Sequence, residues 1–146
     1  MTLTIGTPDD LKRIHGLLMA CIRHSKYNGI VNDTAWESSL ELYLNPETLK
    51  ERIALIIQDG DKDIGLAMFE VIPLVVSDFL VARFVVIYID EEYRGKGIMD
   101  QVFEAFEYWG KRAGAKYYSI GVSRDDVDIS NRGYKQFEVM YMKEVN

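Results

Sequence analysis

The chain has 146 residues, a single cysteine and a formal net charge of −6. This length suits one compact domain, and no repeat, low-complexity tract or linker divides it. One cysteine excludes an intrachain disulfide, and the acidic balance disfavours a nucleic-acid-binding protein, which needs clustered lysine and arginine. An acidic protein is better suited to a cationic small molecule or a basic protein tail.

The sequence also predicts where the protein is located in the cell. The first residues lack the basic stretch and apolar run of a signal peptide, so none is expected. About 18 uninterrupted apolar residues, the minimum for an ordinary transmembrane helix, occur nowhere in the chain. Together with the single cysteine, these features predict a cytoplasmic protein with no membrane partner.

The first third of the chain predicts a strand and two helices. Leu3–Gly6 has the pattern of a short strand, and Thr7-Pro8-Asp9-Asp10 has the capping hydroxyl, proline and carboxylates of a helix start. Tyr27–Thr34 is rich in turn residues and predicts a loop. Apolar residues at helical spacing define the first helix, namely Leu11, Ile14, Leu17, Leu18, Cys21 and Ile22. The second helix is indicated by Trp36, Leu40, Tyr43 and Leu44.

A short third helix and a three-stranded meander are predicted next. Asn45-Pro46-Glu47 repeats the cap-and-proline pattern, and we expect the helix that it opens to carry Leu49 and Ile53. Antiparallel strands follow at Ala54–Gln58, Asp63–Val76 and Phe79–Ile89, with turns at Asp59–Lys62 and Ser77-Asp78.

The last third of the chain predicts a long amphipathic helix at Ile98–Gly114 and a strand at Lys116–Val122. A polar segment, Asp125–Gly133, precedes a final strand at Gln136–Glu144. A strand–helix–strand crossover places its two strands parallel, so the whole order of elements predicts an α+β fold with a mixed sheet.

One junction carries chemistry: a buried strand enters a basic turn, Tyr93-Arg94-Gly95-Lys96-Gly97, and the amphipathic helix begins at once. Free backbone N–H groups at a helix start, with the helix dipole, form an anion site, and glycine lets the backbone approach a phosphate closely. The spacing is neither that of a P-loop nor that of a dinucleotide fingerprint. A bare surface turn is the alternative, and the strand–turn–helix context favours the anion site.

This junction resembles the signature of the GNAT superfamily of acyl-CoA N-acyltransferases, Arg/Gln-x-x-Gly-x-Gly/Ala. The chain matches it at Arg94 and Gly97, whereas Met99 stands where glycine or alanine is usual. The order of elements also resembles the family across nearly the whole chain. The resemblance implies one acyltransferase domain over residues 1–146, with a mostly antiparallel mixed sheet flanked by helices on both faces.

The resemblance also implies which residues bind acetyl-CoA or coenzyme A as co-substrate. The backbone amides of six residues would bind the pyrophosphate, namely Arg94, Gly95, Lys96, Gly97, Ile98 and Met99. Ile87, Tyr88 and Ile89 would pair with the pantetheine, and the thioester would lie between this strand and Ser119–Val122. The acceptor would approach from the side of Tyr27–Thr34. The helical periodicity also fits Met99 as an ordinary core residue.

Catalytic side chains match the family less well. Many members carry a glutamate base on the signature strand, but this chain has the apolar Phe84-Val85-Val86 there. Many also carry a tyrosine acid in a helix before the final strand, and that helix is shortened here to Asp125–Gly133, which contains no tyrosine. The nearest substitutes are Glu70 as base and Tyr134 or Tyr88 as acid. Glu70 also fits a solvent-facing strand residue, and Tyr134 an aromatic plug beneath the sheet.

The sequence therefore predicts transfer of an acetyl group from acetyl-CoA to a primary amine of a small molecule or a protein. The alternative is a GNAT-like protein that binds coenzyme A or a protein partner and has lost the chemistry. Two histidines and one cysteine at no ligand spacing predict no metal site. Aromatic residues such as Tyr117, Tyr118 and Tyr141 offer a surface for a homodimer or belong to the core.

Overall fold

The computed structural model describes residues 1–25, 33–74, 78–121 and 128–136, with only the backbone of residues 33–37. Within these ranges the chain forms five strands and three α-helices. The strands are β1 (Thr2–Ile5), β2 (Arg52–Asp59), β3 (Lys62–Pro73), β4 (Leu80–Ile89) and β5 (Ala115–Ser119). The helices are α1 (Leu11–Arg23), α2 (Asp33–Leu44) and α3 (Ile98–Arg112). No helix in the described ranges has the length and apolar character needed to cross a membrane.

The five strands form one sheet in the order β1-β2-β3-β4-β5. The first four strands are antiparallel to their neighbours, and β5 lies parallel to β4 because the chain crosses over through α3. The prediction of an α+β fold with a mixed, mostly antiparallel sheet is therefore confirmed.

Helices cover both faces of the sheet, as expected. On one face α1 and α2 bury Ile14, Leu18 and Leu40 against alternate residues of β2 and β3, including Ile56 and Met68. On the other face α3 packs on the intervening residues, and its apolar stripe is Ile98, Val102 and Phe106. Because successive strand residues point to opposite faces, the central strands contribute to both cores.

The start of the first helix follows its sequence signals. Thr7 N–H donates to the Asp10 carboxylate at 3.0 Å, and the turn Pro8–Asp10 is a 3₁₀ turn that leads into α1. Arg13 then joins the helix to the sheet, because its guanidinium donates to Asp63 at 2.7 Å and forms a second ion pair with Asp10.

The predicted third helix is wrong beyond its first turn. Asn45 does cap a turn, and its side chain accepts from the N–H of Glu47 at 2.9 Å, but the turn ends as a 3₁₀ segment at Thr48. Ile53 lies in β2 opposite Phe69 of β3 rather than on a helix. Strand pairing and burial at this position outweigh the local helix signal.

Several predicted boundaries also shift. Asp33 and Thr34 belong to α2 rather than to the preceding loop, and β3 ends at Pro73, three residues before the predicted end at Val76. The rest of that loop, the turn residue Ser77 and the final strand beyond residue 136 lie outside the described residues.

The pairing of β4 with β3 contains a β-bulge. Met68 pairs with Val86 and Phe69 pairs with Phe84, which leaves Val85 as an extra residue on β4. On its other side, β4 pairs with β5 only from Leu80 to Arg83. Within the described residues, β5 ends at Ser119 and β4 has no strand partner on this side from the bulge onward. We name this side of β4 the split.

Two glycines in helix interiors give a test of this packing. A methyl group added at Gly110 of α3 would lie 2.8 Å from Cβ of Ala82 and 2.9 Å from Cε1 of Tyr118, whereas one added at Gly16 of α1 meets nothing within 4 Å. We expect Gly110→Ala to destabilise the protein by about 1–3 kcal/mol and Gly16→Ala to stabilise it by about 0.5–1 kcal/mol. Chemical denaturation measures both, and stabilisation by both substitutions would contradict the close approach of α3 to the sheet.

Candidate functional site

The turn between β4 and α3 exposes main-chain donors. Gly95 and Gly97 both have φ of 76°, in the left-handed region, and a Cβ at either position would meet nothing within 4 Å. Gly97 is also the residue before α3, where it offers no side-chain cap. These glycines reverse the chain tightly while leaving open space beside the backbone.

The N–H groups of this turn are free to bind a ligand. Among hydrogen bonds between described residues outside regular helices and strands, none uses the N–H of Gly95, Lys96 or Gly97 as donor. The first N–H groups of α3 also lack helical acceptors, as at any helix start. Several donors and the positive end of the helix dipole therefore meet at one place, which is the geometry that binds phosphate.

A cavity of about 240 Å³ opens beside these donors. Its lining residues are Ile89, Tyr93, Arg94, Gly95, Gly97, Ile98, Met99 and Asp100. Six of the nine residues predicted to bind the co-substrate are in this lining, whereas Ile87, Tyr88 and Lys96 are not. Tyr93 and Asp100 line the cavity as well, although only their sequence position beside the signature pointed to them.

Met99 faces the cavity rather than the core. Its side chain is 37% exposed, whereas the preceding Ile98 is 4% exposed and packs into the core on the α3 face. The helical periodicity placed both residues on one apolar stripe, but in the first turn of α3 only Ile98 points to the sheet. Met99 is thus a wall residue of the cavity.

The turn is locally cationic in an acidic protein. Arg94 and Lys96 have no ion pair with any described residue, and Lys96 Nζ lies 4.8 Å from the centre of the Tyr93 ring. Of the nearby acidic groups, Glu92 is already engaged, since it forms an ion pair with Lys62 that lowers the pKa of the Glu92 carboxyl. The positive charge beside the free N–H groups is therefore not neutralised from within the turn.

Tyr88 is tied to the same region. Its hydroxyl donates to the Asp90 carboxylate at 2.7 Å, and burial together with this hydrogen bond raises the pKa of Tyr88 to about 12. Its ring stacks with the imidazole of His24 at 6.3 Å between ring centres. Tyr88 is thus protonated at neutral pH, and its hydroxyl hydrogen is already used in the hydrogen bond to Asp90.

Among the described residues, the end of β5 at Ser119 leaves the edge of β4 beyond it without a strand partner. Asp90 N–H donates to Ile64 O at 2.8 Å, so Asp90 directs its peptide groups towards β3. Because these directions alternate along a strand, Ile87 and Ile89 direct theirs towards the split. The carbonyl of Ile89 accepts from Nε of Arg94 at 3.0 Å, which leaves the N–H of Ile89 as the available donor there.

Cys21 approaches this strand from α1. Its sulfur lies 4.0 Å from the carbonyl oxygen of Ile87, and burial raises the pKa of the thiol. A protonated, largely covered thiol is a poor nucleophile, in agreement with a core role for Cys21.

Glu70 lies in a cluster of charges on the face covered by α1 and α2. Its side chain is buried, so the expectation of a solvent-facing residue is wrong. Arg52 and Arg83 are its direct neighbours on β2 and β4, and Arg83 forms an ion pair with one carboxylate oxygen. The Tyr43 hydroxyl donates to the other oxygen at 2.9 Å, and burial with this contact raises the pKa of Tyr43.

Tyr134 packs against α3. Its ring centre lies 5.9 Å from that of Phe103, and its hydroxyl donates to Glu107 at 3.1 Å. Burial and the neighbouring Glu107 carboxylate raise the pKa of Tyr134, so it holds its proton at neutral pH. Neither Tyr134 nor Glu70 is in the lining of the described cavity.

Comparison with known proteins settles the family. A family model described as "Acetyltransferase (GNAT) family" matches residues 17–137, which is most of the chain. The protein belongs to the GNAT acetyltransferase family. Solved structures of GNAT proteins share its fold, whereas no curated protein matches the chain.

Three solved structures illustrate the similarity. A GNAT family acetyltransferase from Staphylococcus aureus has a TM-score of 0.73 and 17% identity, with 99% of this chain and 98% of that chain covered. AAC(6')-Iy, in complex with the bisubstrate analog CoA-S-monomethyl-acetylneamine, has a TM-score of 0.71 and 18% identity, with 99% of this chain and 98% of that chain covered. The aminoglycoside 6'-N-acetyltransferase AAC(6')-IG from Acinetobacter haemolyticus has a TM-score of 0.72 and 15% identity, with both chains fully covered at 100%.

The charge cluster around Glu70 gives a test of its structural role. Glu70→Gln removes the carboxylate between two arginines, and we expect a loss of about 1–3 kcal/mol in the free energy of unfolding. Glu51→Gln is the matched control, because Glu51 also lies near Arg52, at 3.8 Å, but is 67% exposed. That control is expected to stay within about 0.5 kcal/mol of the parent protein. Equal effects in urea denaturation would contradict the buried cluster.

Proposed function

We propose that this GNAT protein transfers an acetyl group from acetyl-CoA to a primary amine of a small molecule or a protein. The observation that carries the proposal is the set of unpaired main-chain N–H groups at the start of α3, beside an open cavity. In this proposal residues 1–146 act as one acyltransferase domain, and the single cysteine supports a cytoplasmic location.

The proposed binding mode uses two parts of the site. The N–H groups of Gly95–Met99 hold the diphosphate, and the side chains of Arg94 and Lys96 add positive charge. The expectation that the backbone amide of Arg94 also binds is wrong, because this N–H donates to the Glu91 carbonyl at 3.2 Å. The free edge of β4 at Ile87–Ile89 accompanies the pantetheine into the split. A coenzyme A derivative bound to the relative AAC(6')-Iy supports the same class of co-substrate here.

The proposed chemistry is direct transfer. The amine nitrogen forms a bond to the acyl carbon while the carbon–sulfur bond breaks, so the amine loses a proton and the departing thiolate gains one. In this proposal the N–H of Ile89 donates to the thioester carbonyl oxygen, on which negative charge develops. Positioning and this hydrogen bond supply the catalysis, with Tyr134 proposed as proton donor and Glu70 as the less favoured base.

The acceptor is proposed to be a small amine or a protein amine. Names of structural relatives include aminoglycoside acetyltransferases, which supports the small-molecule alternative. The net charge of −6 supports a cationic acceptor on general electrostatic grounds. A homodimer through exposed aromatics remains part of the proposal, and Tyr117 is 53% exposed, whereas the Tyr118 hydroxyl is bonded to the Glu107 carbonyl.

The decisive experiment combines calorimetry with an activity assay. Acetyl-CoA is titrated into the purified protein, and release of free thiol is then followed with aminoglycosides, polyamines, amino acids and lysine peptides. Binding with turnover supports the enzyme. Binding without turnover on any acceptor supports the alternative function below, and no binding would overturn both of these and leave only a protein-interaction role.

Gly97 offers a sharper test of the diphosphate site. Gly97→Ala forces a left-handed conformation on alanine and adds a methyl group beside the donors, so we expect about tenfold weaker binding of acetyl-CoA or more. Gly60→Ala is the matched control, because Gly60 has φ of 60° and equally open surroundings in the β2–β3 turn. Both variants should lose about 1 kcal/mol of stability, but only the first should lose affinity. Equal affinities would place the diphosphate elsewhere.

Tyr134 is tested through the rate of the chemical step. If its hydroxyl protonates the leaving thiolate, Tyr134→Phe lowers kcat about a hundredfold and leaves the Kd for acetyl-CoA nearly unchanged. Tyr118→Phe is the control, because the Tyr118 hydroxyl also donates to Glu107, to its carbonyl oxygen at 2.9 Å. This variant should keep the kcat of the parent protein. A normal kcat for Tyr134→Phe would leave this side chain a packing role alone.

A second candidate function is binding without chemistry. One observation favours it: Phe84-Val85-Val86 offers no carboxylate, and both oxygens of Glu70 are already engaged by Arg83 and Tyr43. A protein of this kind would bind acetyl-CoA and report its presence to a partner. The acceptor panel above separates this function from catalysis.

A further inference from the structure

Arg132 lies beside the start of α3, although it comes from the segment after β5. It ends the 3₁₀ turn Ser130–Arg132, which is ordered by a 2.8 Å hydrogen bond from Ser130 N–H to the Asp128 carboxylate. The Arg132 guanidinium forms an ion pair with Asp100, and its carbon lies 4.4 Å from the centre of the Phe103 ring. Its side chain is only 27% exposed, so this position is held from two sides.

Asp100 is an unusual wall residue for an anion site. A carboxylate in the first turn of a helix is favourable by itself, because it faces the positive end of the dipole. Here the same residue lines the cavity beside the free N–H groups, so a bound diphosphate and the carboxylate would repel each other. Arg132 is the group in direct contact with Asp100 that can relieve this repulsion.

The ion pair with Asp100 does not use all the N–H donors of the Arg132 guanidinium. The guanidinium carries five N–H groups at its edge, and the Phe103 ring covers one face without engaging them. The ion pair with Asp100 uses one terminal nitrogen, Nη2. Arg132 does not itself line the cavity, but it contacts a lining residue, and the N–H groups that this ion pair does not use are donors for a second anion.

We propose that Arg132 binds the diphosphate of the acyl-CoA directly and that Asp100 holds it in place before the co-substrate arrives. We name this pair the Asp100–Arg132 latch. The proposal rests on the proposed function, since it assumes that the diphosphate lies at the start of α3. It adds a phosphate-binding side chain from outside the signature segment. Asp100 itself repels the diphosphate and weakens its binding, but it also fixes the position of Arg132.

A double-mutant cycle separates direct binding from simple neutralisation of Asp100. The Kd for coenzyme A is measured by calorimetry for the parent, Arg132→Gln, Asp100→Asn and the double variant. If Arg132 contacts the diphosphate, Arg132→Gln weakens binding about tenfold or more, Asp100→Asn tightens it a few fold, and the double variant stays several-fold weaker than the parent. If Arg132 only neutralises Asp100, the double variant regains parental affinity, and the proposal is overturned.

Two controls make the result specific. Arg112→Gln removes the same charge from the other end of α3, where Arg112 lies 5.6 Å from the Tyr108 ring, and should bind coenzyme A like the parent. Thermal unfolding of every variant checks that the fold is intact. Parental affinity for Arg132→Gln overturns the latch alone, whereas failure of the parent protein to bind coenzyme A overturns the proposed function.

Discussion

The site depends on one interruption of hydrogen bonding, between β4 and β5. Pairing between β4 and β5 covers Arg83 but not the residues from the bulge at Val85 onward. A strand edge normally finds a partner, because an unpaired buried peptide group is costly. Here Ile87 and Ile89 face the split, and the chain then turns into α3 with further free donors. Main-chain donors are thus available at two places, the edge of β4 and the start of α3, with the 3₁₀ turn Glu91–Tyr93 between them.

Side chains around these main-chain donors determine the local charge. Arg94 engages the carbonyl of Ile89, so the last carbonyl at the split is covered while the N–H stays available. Lys62 engages Glu92, which leaves Lys96 without a competing ion pair among the described residues. Asp90 and Asp100 are engaged as well, by the Tyr88 hydroxyl and by Arg132. A protein with net charge −6 can therefore present a cationic surface at one place.

Sequence patterns predicted most of the fold because its signals are local and repeated. The apolar stripe of α3 and the cap at Thr7 each depend on residues that are close in the chain. Ile53 was misplaced because its partner Phe69 comes 16 residues later, beyond the reach of a local pattern. The contact of Arg132 with Asp100 is likewise long-range, and nothing in the spacing of the two residues indicates it.

Catalytic residues were harder to predict for a related reason. The sequence does not distinguish a glutamate that is free to accept a proton from one that is held between two arginines. Only the fold brings Arg52 and Arg83 beside Glu70. Binding of a diphosphate uses backbone groups, which every residue supplies once glycines permit the turn. Binding is therefore encoded in a short motif. Proton transfer depends instead on side chains gathered from separate strands, and its assignment needs the reaction itself.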